Sequence, residues 1–265
     1  MRLAGRVAIV SGGSRGIGAG IARCMAREGA SVVVNYFKSE GPAREVVSEI
    51  EAAGGTAVAV KADVGDYGQV ESMVEEAVSR FGKLDIMVAN AGTKGHGRPL
   101  IELSHDDFAY TIRNHLMGAF NCARAALPYL RQRPRGDLIL ISSRSSDMLL
   151  ANDSDYNAAK AAIDALAKGV AKEERYHGVR VNAVNPGLVP TDMAWDGISQ
   201  RTGMDTFEEV DKGMPLGRMV RAEDIGNTCV FLASEEGSHI SGEVIYVRAA
   251  VGAEPPPFYL PQPEA

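Results

Sequence analysis

The stretch Val7-Ala-Ile-Val-Ser-Gly-Gly-Ser-Arg-Gly-Ile-Gly18 decides the fold. Val7 to Val10 is a short, uninterrupted apolar run, as expected of a strand buried on both faces of a parallel sheet. Gly12, Gly16 and Gly18 then remove side chains where the backbone must turn sharply and something large and anionic can approach. A helix beginning near Gly16 or Ile17 aims its unpaired N–H groups and the positive end of its dipole at that turn. A pyrophosphate group fits there. The spacing is Gly-x-x-x-Gly-x-Gly rather than the more widespread Gly-x-Gly-x-x-Gly.

Outward from this unit, strand and helix patterns alternate. Ser31 to Asn35 reads as a second strand, and Pro42 to Ala53 as a helix stopped by Gly54-Gly55. Thr56 to Lys61 is a third strand, Tyr67 to Phe81 an amphipathic helix closed by Gly82, and Leu84 to Ala89 a fourth strand. Asp106 to Leu130 carries two helical stretches, and Asp137 to Ser142 is a fifth strand. Asp155 to Tyr176 is a long helix, Val179 to Val184 a sixth strand, Ala222 to Ala233 a helix and Glu243 to Val247 a last strand. Seven strands with helical crossovers predict an α/β, doubly wound, seven-stranded parallel sheet with helices on both faces.

The chain of 265 residues suits one such domain, 1–250. Within it, 188–216 is too long for a plain loop; Gly197, Gly203, Gly213 and Pro215 suit a mobile cover. The proline-rich tail 251–265 is excluded from regular helix or central strand, and is expected either to pack on a neighbour or to be disordered. With 45% hydrophobic residues, 29 glycines and a net charge of −6, the chain reads as globular, with no basic patch to suggest nucleic acid. Cys24, Cys122 and Cys229 lie in helical patterns and are expected to be buried free thiols; no metal-ligand spacing is present. No signal peptide, membrane span or lipidation motif is found, so the expected compartment is cytoplasmic.

Ligands of open parallel sheets bind at the carboxyl ends of the strands. Those ends here are small or polar: the glycine turn, Asn90-Ala91-Gly92, Ser142-Ser143 and Asn185-Pro186-Gly187. Tyr156-Asn-Ala-Ala-Lys160 places a phenol and an ammonium one helical turn apart. A nearby ammonium favours phenolate, so Tyr156 is expected to titrate below its ordinary value and serve as general acid/base.

In order and separation, Gly12/Gly16/Gly18, Asn90-Ala91-Gly92, Asn114, Ser143, Tyr156-x-x-x-Lys160 and Pro186-Gly187 resemble the short-chain dehydrogenase/reductase family over about Leu3 to Val247. The resemblance implies a Rossmann fold and catalytic roles for Asn114, Ser143, Tyr156 and Lys160. Tyr156 would exchange the proton with the substrate oxygen and Ser143 would hold that oxygen. Lys160 would bond the ribose and tune Tyr156, and Asn114 would support a relay water. It also implies that Gly12, Ser14, Arg15, Gly16, Ile17, Gly18, Asn35, Tyr36, Asp63, Val64, Asn90, Ala91, Gly92, Pro186, Gly187, Val189 and Thr191 line the cofactor. Asp63 is equally placed to cap a helix.

Enzymes that prefer NAD carry a carboxylate at the end of strand two. Here the run is Asn35-Tyr-Phe-Lys-Ser39, and Arg15, Lys38 and Ser39 suit a 2′-phosphate. NADP(H) is therefore expected. Position puts Arg144, Leu150 and Trp195 near the substrate, with Met148, Leu149 and Met193 adding apolar surface and Asp147 and Asp153 charge. For the charges, ordinary loop chemistry is an equal alternative.

The pattern most resembles 3-oxoacyl-(acyl-carrier protein) reductases, with a small-molecule carbonyl or alcohol as substrate. It departs from them at Val247-Arg-Ala-Ala250, where the family ends Val-Asp-Gly-Gly, and in only loosely matched basic positions at Arg133, Arg135 and His177. A polyketide-like, quinone or steroid ketone stays open, as does a non-catalytic NADP-sensing protein. Enoyl reductases of the family use a longer Tyr-to-Lys interval, and Ile163 stands at that place. Small residues (Ala158, Ala159, Ala161, Ala162 and Ala165; Gly118, Ala119, Ala123 and Ala126) suit a homotetramer or homodimer, or packing on the sheet.

Overall fold

β1 (Val7–Val10) lies in the middle of one parallel sheet ordered β3-β2-β1-β4-β5-β6-β7. The computed structural model describes residues 1–191, 194–195, 206–212, 214 and 216–248. Met193, Gly197, Gly203, Gly213, Pro215, Ala249, Ala250 and the 251–265 tail lie outside them.

The other strands are β2 (Ser31–Tyr36), β3 (Thr56–Lys61), β4 (Ile86–Ala89), β5 (Gly136–Ile141), β6 (Val179–Pro186) and β7 (Val244–Val247). Every pairing is parallel. The helices are α1 (Gly16–Arg27), α2 (Glu40–Ala52), α3 (Tyr67–Phe81), α4 (His105–Ile112), α5 (Gly118–Leu130), α6 (Ser145–Met148), α7 (Ser154–Glu174), α8 (Phe207–Lys212) and α9 (Ala222–Ala233). The elements expected from periodicity are present, with ends shifted by a few residues. The two helical stretches of 106–130 are α4 and α5, joined without a break by a π-helical turn, Arg113–Met117.

Alternation along the strands divides the core in two, because successive side chains of a strand face opposite ways. Ala8, Val10, Val32, Val34, Ile86, Val88 and Ile139 face α1, α2 and α9. Ile9, Val33, Met87, Leu138, Leu140 and Val181 face α3, α5 and α7. Ala119, Ala123 and Ala126 are buried against the sheet and Ala159 is buried, whereas Ala158 and Ala165 are exposed. A third, small cluster joins Leu188, Val210 and Met219 with Trp195 and Phe207, so the long connection carries apolar packing of its own. Cys24, Cys122 and Cys229 are free and buried. No helix among the described residues is long and apolar enough to cross a membrane.

α1 and α9 touch closely through glycine. A Cβ on Gly226 would lie 2.7 Å from Cys24 Sγ and 2.9 Å from the carbonyl oxygen of Gly20. The backbone side of that contact cannot yield, so overpacking follows. Gly226→Val is expected to destabilise the chain by about 1–3 kcal/mol, read as a lower urea midpoint at unchanged slope.

Candidate active site

The strand order reverses between β1 and β4, opening a crevice at their carboxyl ends. Three polar side chains, Ser11 and Asn35 buried and Asn90 half-buried, build the turn beside it. Ser11 Oγ accepts the N–H groups of Asn90 (2.9 Å) and Ala91 (3.0 Å). Asn90 Nδ2 donates to the carbonyls of Ser11 (2.9 Å) and Gly12 (3.3 Å). Asn35 Oδ1 accepts the Gly12 N–H at 3.1 Å, while its Nδ2 faces the carbonyls of Ala62 (3.1 Å) and Val60 (3.3 Å). Gly12 has φ +61°, and a Cβ on Gly18 would strike its carbonyl oxygen, so neither position admits a side chain.

At the mouth of the turn, Arg15 and Gly16 are exposed, Ile17 is half-buried and Ser14 buried. Arg15 is the N-cap of α1 and supplies no side-chain cap, leaving the first N–H groups of the helix without one. The loop after β6 returns to this place. Thr191 Cγ2 would be 3.2 Å from a Cβ on Gly16, and Val189 is buried beside it. Pro186 accepts the Arg144 N–H at 3.1 Å, and the Gly187 N–H reaches Val247 at 2.9 Å.

Some expected cofactor contacts have another place. Asn35 is 1% exposed, with both ends of its amide spent inside, so it braces the turn from beneath and presents no open edge. Asp63 does not cap α3, since Asp66 does so through the Gln69 N–H. The Asp63 carboxylate bonds Arg113 Nη2 (2.8 Å) and the Gly65 N–H (2.9 Å). Val64 is buried, its carbonyl taken by Asn121. Tyr36 is half-buried on the core, whereas Lys38 is exposed and Ser39 half-buried before α2.

Across the crevice, Tyr156 and Lys160 stand on the first turns of α7, with Ser143 after β5. Ser142 turns inward and donates to the carbonyl of Lys160 (2.9 Å), so Ser143 is the serine left for the phenol. Lys160 Nζ donates to the carbonyl of Ile141 at 3.0 Å and lies 5.5 Å from the centre of the Tyr156 ring. Burial pushes the Tyr156 phenol up to about 12, with Asp153 adding to the shift and Ser143 and Arg144 opposing it. This corrects the expectation of a lowered phenol: the ammonium is spent on Ile141, and desolvation governs the ring. Burial also brings Lys160 down to about 8, against the pull of Asp164.

Asn114 sits in the π-helical turn. Its Nδ2 donates to the Tyr110 carbonyl at 2.8 Å. The amides at the end of the turn go to the carbonyls of Arg113 and His115. Such turns recur at functional sites. Of the expected substrate residues, Arg144 and Leu150 lie around α6 and are half-buried. Trp195 packs edge-on against Phe207 at 4.5 Å, which commits its ring to the small third cluster.

Two neighbours of Tyr156 escape a sequence reading, where a lone histidine reads as core and an acidic residue before a helix as a cap. His115 is 3% exposed, meets the Tyr156 ring edge-to-face at 5.1 Å and 89°, and bonds the Thr93 carbonyl through Nε2 at 2.8 Å. Asp155 accepts from Thr111 Oγ1 (2.7 Å) and meets His96 Nδ1 at 2.8 Å. Burial favours its neutral form, but the hydrogen bonds from His96 and Thr111 prevail and hold it below the usual carboxylate range. Together these contacts tie the loop after β4 to the start of α7.

Burial, with Lys160 adding to it, brings His115 down to about 3. A depressed histidine is neutral in the folded chain while the unfolded chain takes up a proton, so stability is full above about pH 6.5 and falls toward pH 3. His115→Phe is expected to flatten that acid limb by up to about 1.4 kcal/mol per pH unit, measured by urea unfolding between pH 7 and 4.

A family model described as Enoyl-(Acyl carrier protein) reductase matches residues 12–249. A hydroxynaphthalene reductase-like protein of Metarhizium majus is 39% identical over 252 residues, 92% of this chain and 93% of that one. The 3-oxoacyl-(acyl-carrier-protein) reductase of Staphylococcus aureus is 37% identical over 244 residues, 92% of this chain and 97% of that one. A dehydrogenase/reductase structure from Sinorhizobium meliloti superposes with a TM-score of 0.83 at 35% identity, covering 92% of this chain and 94% of that one. A 7α-hydroxysteroid dehydrogenase, solved with NADH and 7-oxo glycochenodeoxycholic acid, does so at 0.85 and 30%, covering 96% of each. With the crevice, the uncapped turn and the Tyr156/Lys160 pair, these likenesses make the chain a member of the short-chain dehydrogenase/reductase family of oxidoreductases.

Proposed function

We propose that the chain is an NADP(H)-dependent reductase of ketone carbonyls, with Tyr156 as proton donor. The observation that carries this is the half-buried Tyr156, its phenol meeting Ser143 and its ring 5.5 Å from Lys160 Nζ, across the crevice from the glycine turn. When bound, the nicotinamide supplies the hydride. The turn fits the phosphates of such a group: its amides are uncapped and its glycines leave backbone open to approach. Arg15 and Lys38 are exposed near a 2′-phosphate position, and no carboxylate ends β2 to repel one.

Ser143 would hold the carbonyl oxygen and Tyr156 would give it the proton. A phenol pushed up to about 12 stays protonated at neutral pH, the form that gives the proton in the reduction proposed. Lys160, brought down to about 8, would replace the lost proton, with Asn114 supporting a relay water. Ile163 is 2% exposed and faces the sheet core, so ketone chemistry through Lys160 is favoured over the enoyl chemistry in the family model's description. The substrate we favour is a 3-oxoacyl thioester or a related ketone, as in the staphylococcal relative's name; a cyclic ketone, as the Metarhizium relative's name suggests, is the second candidate. The exposed Met117 and Phe120, with the small exposed residues Ala158 and Ala165 on α7, favour a dimer or tetramer.

The deciding experiment follows reduced nicotinamide absorbance with NADPH and then NADH against β-ketoacyl thioesters, diketones, quinones and steroid ketones. NADPH is expected to be oxidised with kcat/KM at least about ten-fold above NADH; binding without turnover across the panel would favour a sensing role. Tyr156→Phe is expected to lower kcat by about 10²–10⁴ with NADPH binding retained. In the reverse direction, alcohol oxidation should rise with pH throughout the neutral and alkaline range, because it needs the phenolate.

A further inference from the structure

We propose that the cleft at the amino ends of β1, β4, β5 and β6, on the sheet edge opposite Tyr156, binds a small phosphate-type oxyanion. The cleft has a volume of about 710 Å³, and Arg6, Arg133, Arg135, Arg175 and Arg180 line it. The whole chain carries −6, so a local surplus of cations stands out.

The surplus is visible in the pairing. Arg6, Arg135 and Arg180 all crowd one carboxylate, Asp137, at 2.7, 3.7 and 2.6 Å. Asp85 serves Arg133 (3.0 Å), Lys83 (3.3 Å) and the N–H of Val7 (2.9 Å). Glu235 pairs with Arg135 but is 87% exposed at its side chain. Arg175 stacks on Tyr176 at 4.7 Å and has no carboxylate partner among the described residues. Four guanidiniums thus share three carboxylates, and the fifth has none among the described residues. Burial, with Arg135 and Arg6 as like-charged neighbours, holds Arg180 below its ordinary value in spite of Asp137.

Directional deficits accompany the charge. Arg180 is 8% exposed, and the Nε groups of Arg135 and Arg180 are buried without a hydrogen bond, that of Arg135 lying 3.7 Å from Asp137. Buried donors in native proteins are normally paired. A tetrahedral oxyanion brings charge and several acceptor oxygens together, and planar guanidiniums from separate segments match it well. His239 at the rim adds a further ring nitrogen.

The test is calorimetric titration of pyrophosphate, and separately of inorganic phosphate, into the full chain at constant ionic strength. Wild type is compared with Arg133→Ala/Arg175→Ala and with Arg175→Glu alone, whose exposed side chain stands outside the buried network. Saturable binding that weakens about ten-fold or more in both variants, with thermal midpoint and far-UV dichroism retained by Arg175→Glu, supports the site. Equal affinities for the two anions indicate free phosphate as the ligand, and tighter pyrophosphate indicates a polyphosphate or ester; either supports it. Absence of saturable heat, or unchanged affinity in both variants, overturns it and assigns any pyrophosphate to the glycine turn. The outcome is independent of the role proposed for Tyr156.

Discussion

A turn made of glycines has no side chains with which to hold its own shape, and this one is held from outside. Ser11, Asn35 and Asn90 supply the hydrogen bonds, joining β1 to β2, β3 and β4 at one point. Each amide or hydroxyl is buried or nearly so, where an unmade bond costs about 1–3 kcal/mol. The glycine conformations are therefore over-determined by their surroundings. With the turn fixed, the first amides of α1, Thr191 beyond β6 and the open face toward α7 take their places.

The parallel sheet sorts chemistry to its two edges. Carboxyl ends carry small and polar residues and the proton-handling groups, whereas amino ends gather arginines and acids. β5 shows both within one strand: Asp137 near its start sits among three guanidiniums, and Ser143 follows its end beside the phenol. The middle of the strand is uninterrupted apolar surface. Its burial on both faces, not any polar contact, sets the distance between these two settings.

Much of this was legible in the sequence. Parallel, doubly buried strands read as continuous apolar runs, and crossover helices as amphipathic ones, so order and class followed from periodicity. The candidate residues Ser143, Tyr156 and Lys160 stand out in the sequence because spacing on a helix and position after a strand are local properties. What stayed hidden was non-local. That Asn35 spends its amide within the fold, or that Arg113 claims Asp63, depends on partners 23 to 50 positions away. The π-helical turn was invisible for a different reason: one extra residue in a helix leaves little trace in hydrophobic spacing.

The sign of the phenol's shift shows the same limit in energetic form. Two groups one turn apart suggest attraction, and attraction alone would lower Tyr156. Burial reverses the balance, because Lys160 reaches Ile141 and itself loses proton affinity as it is desolvated. His115, neutral and edge-on to the ring, adds bulk without charge. The result is a phenol kept protonated beside an amine close to releasing its proton. In the donor role proposed for Tyr156 this arrangement is favourable, because the proton is held until an oxygen gains electron density. Packing against apolar and neutral groups, more than the local pairing of charges, therefore sets the protonation of Tyr156.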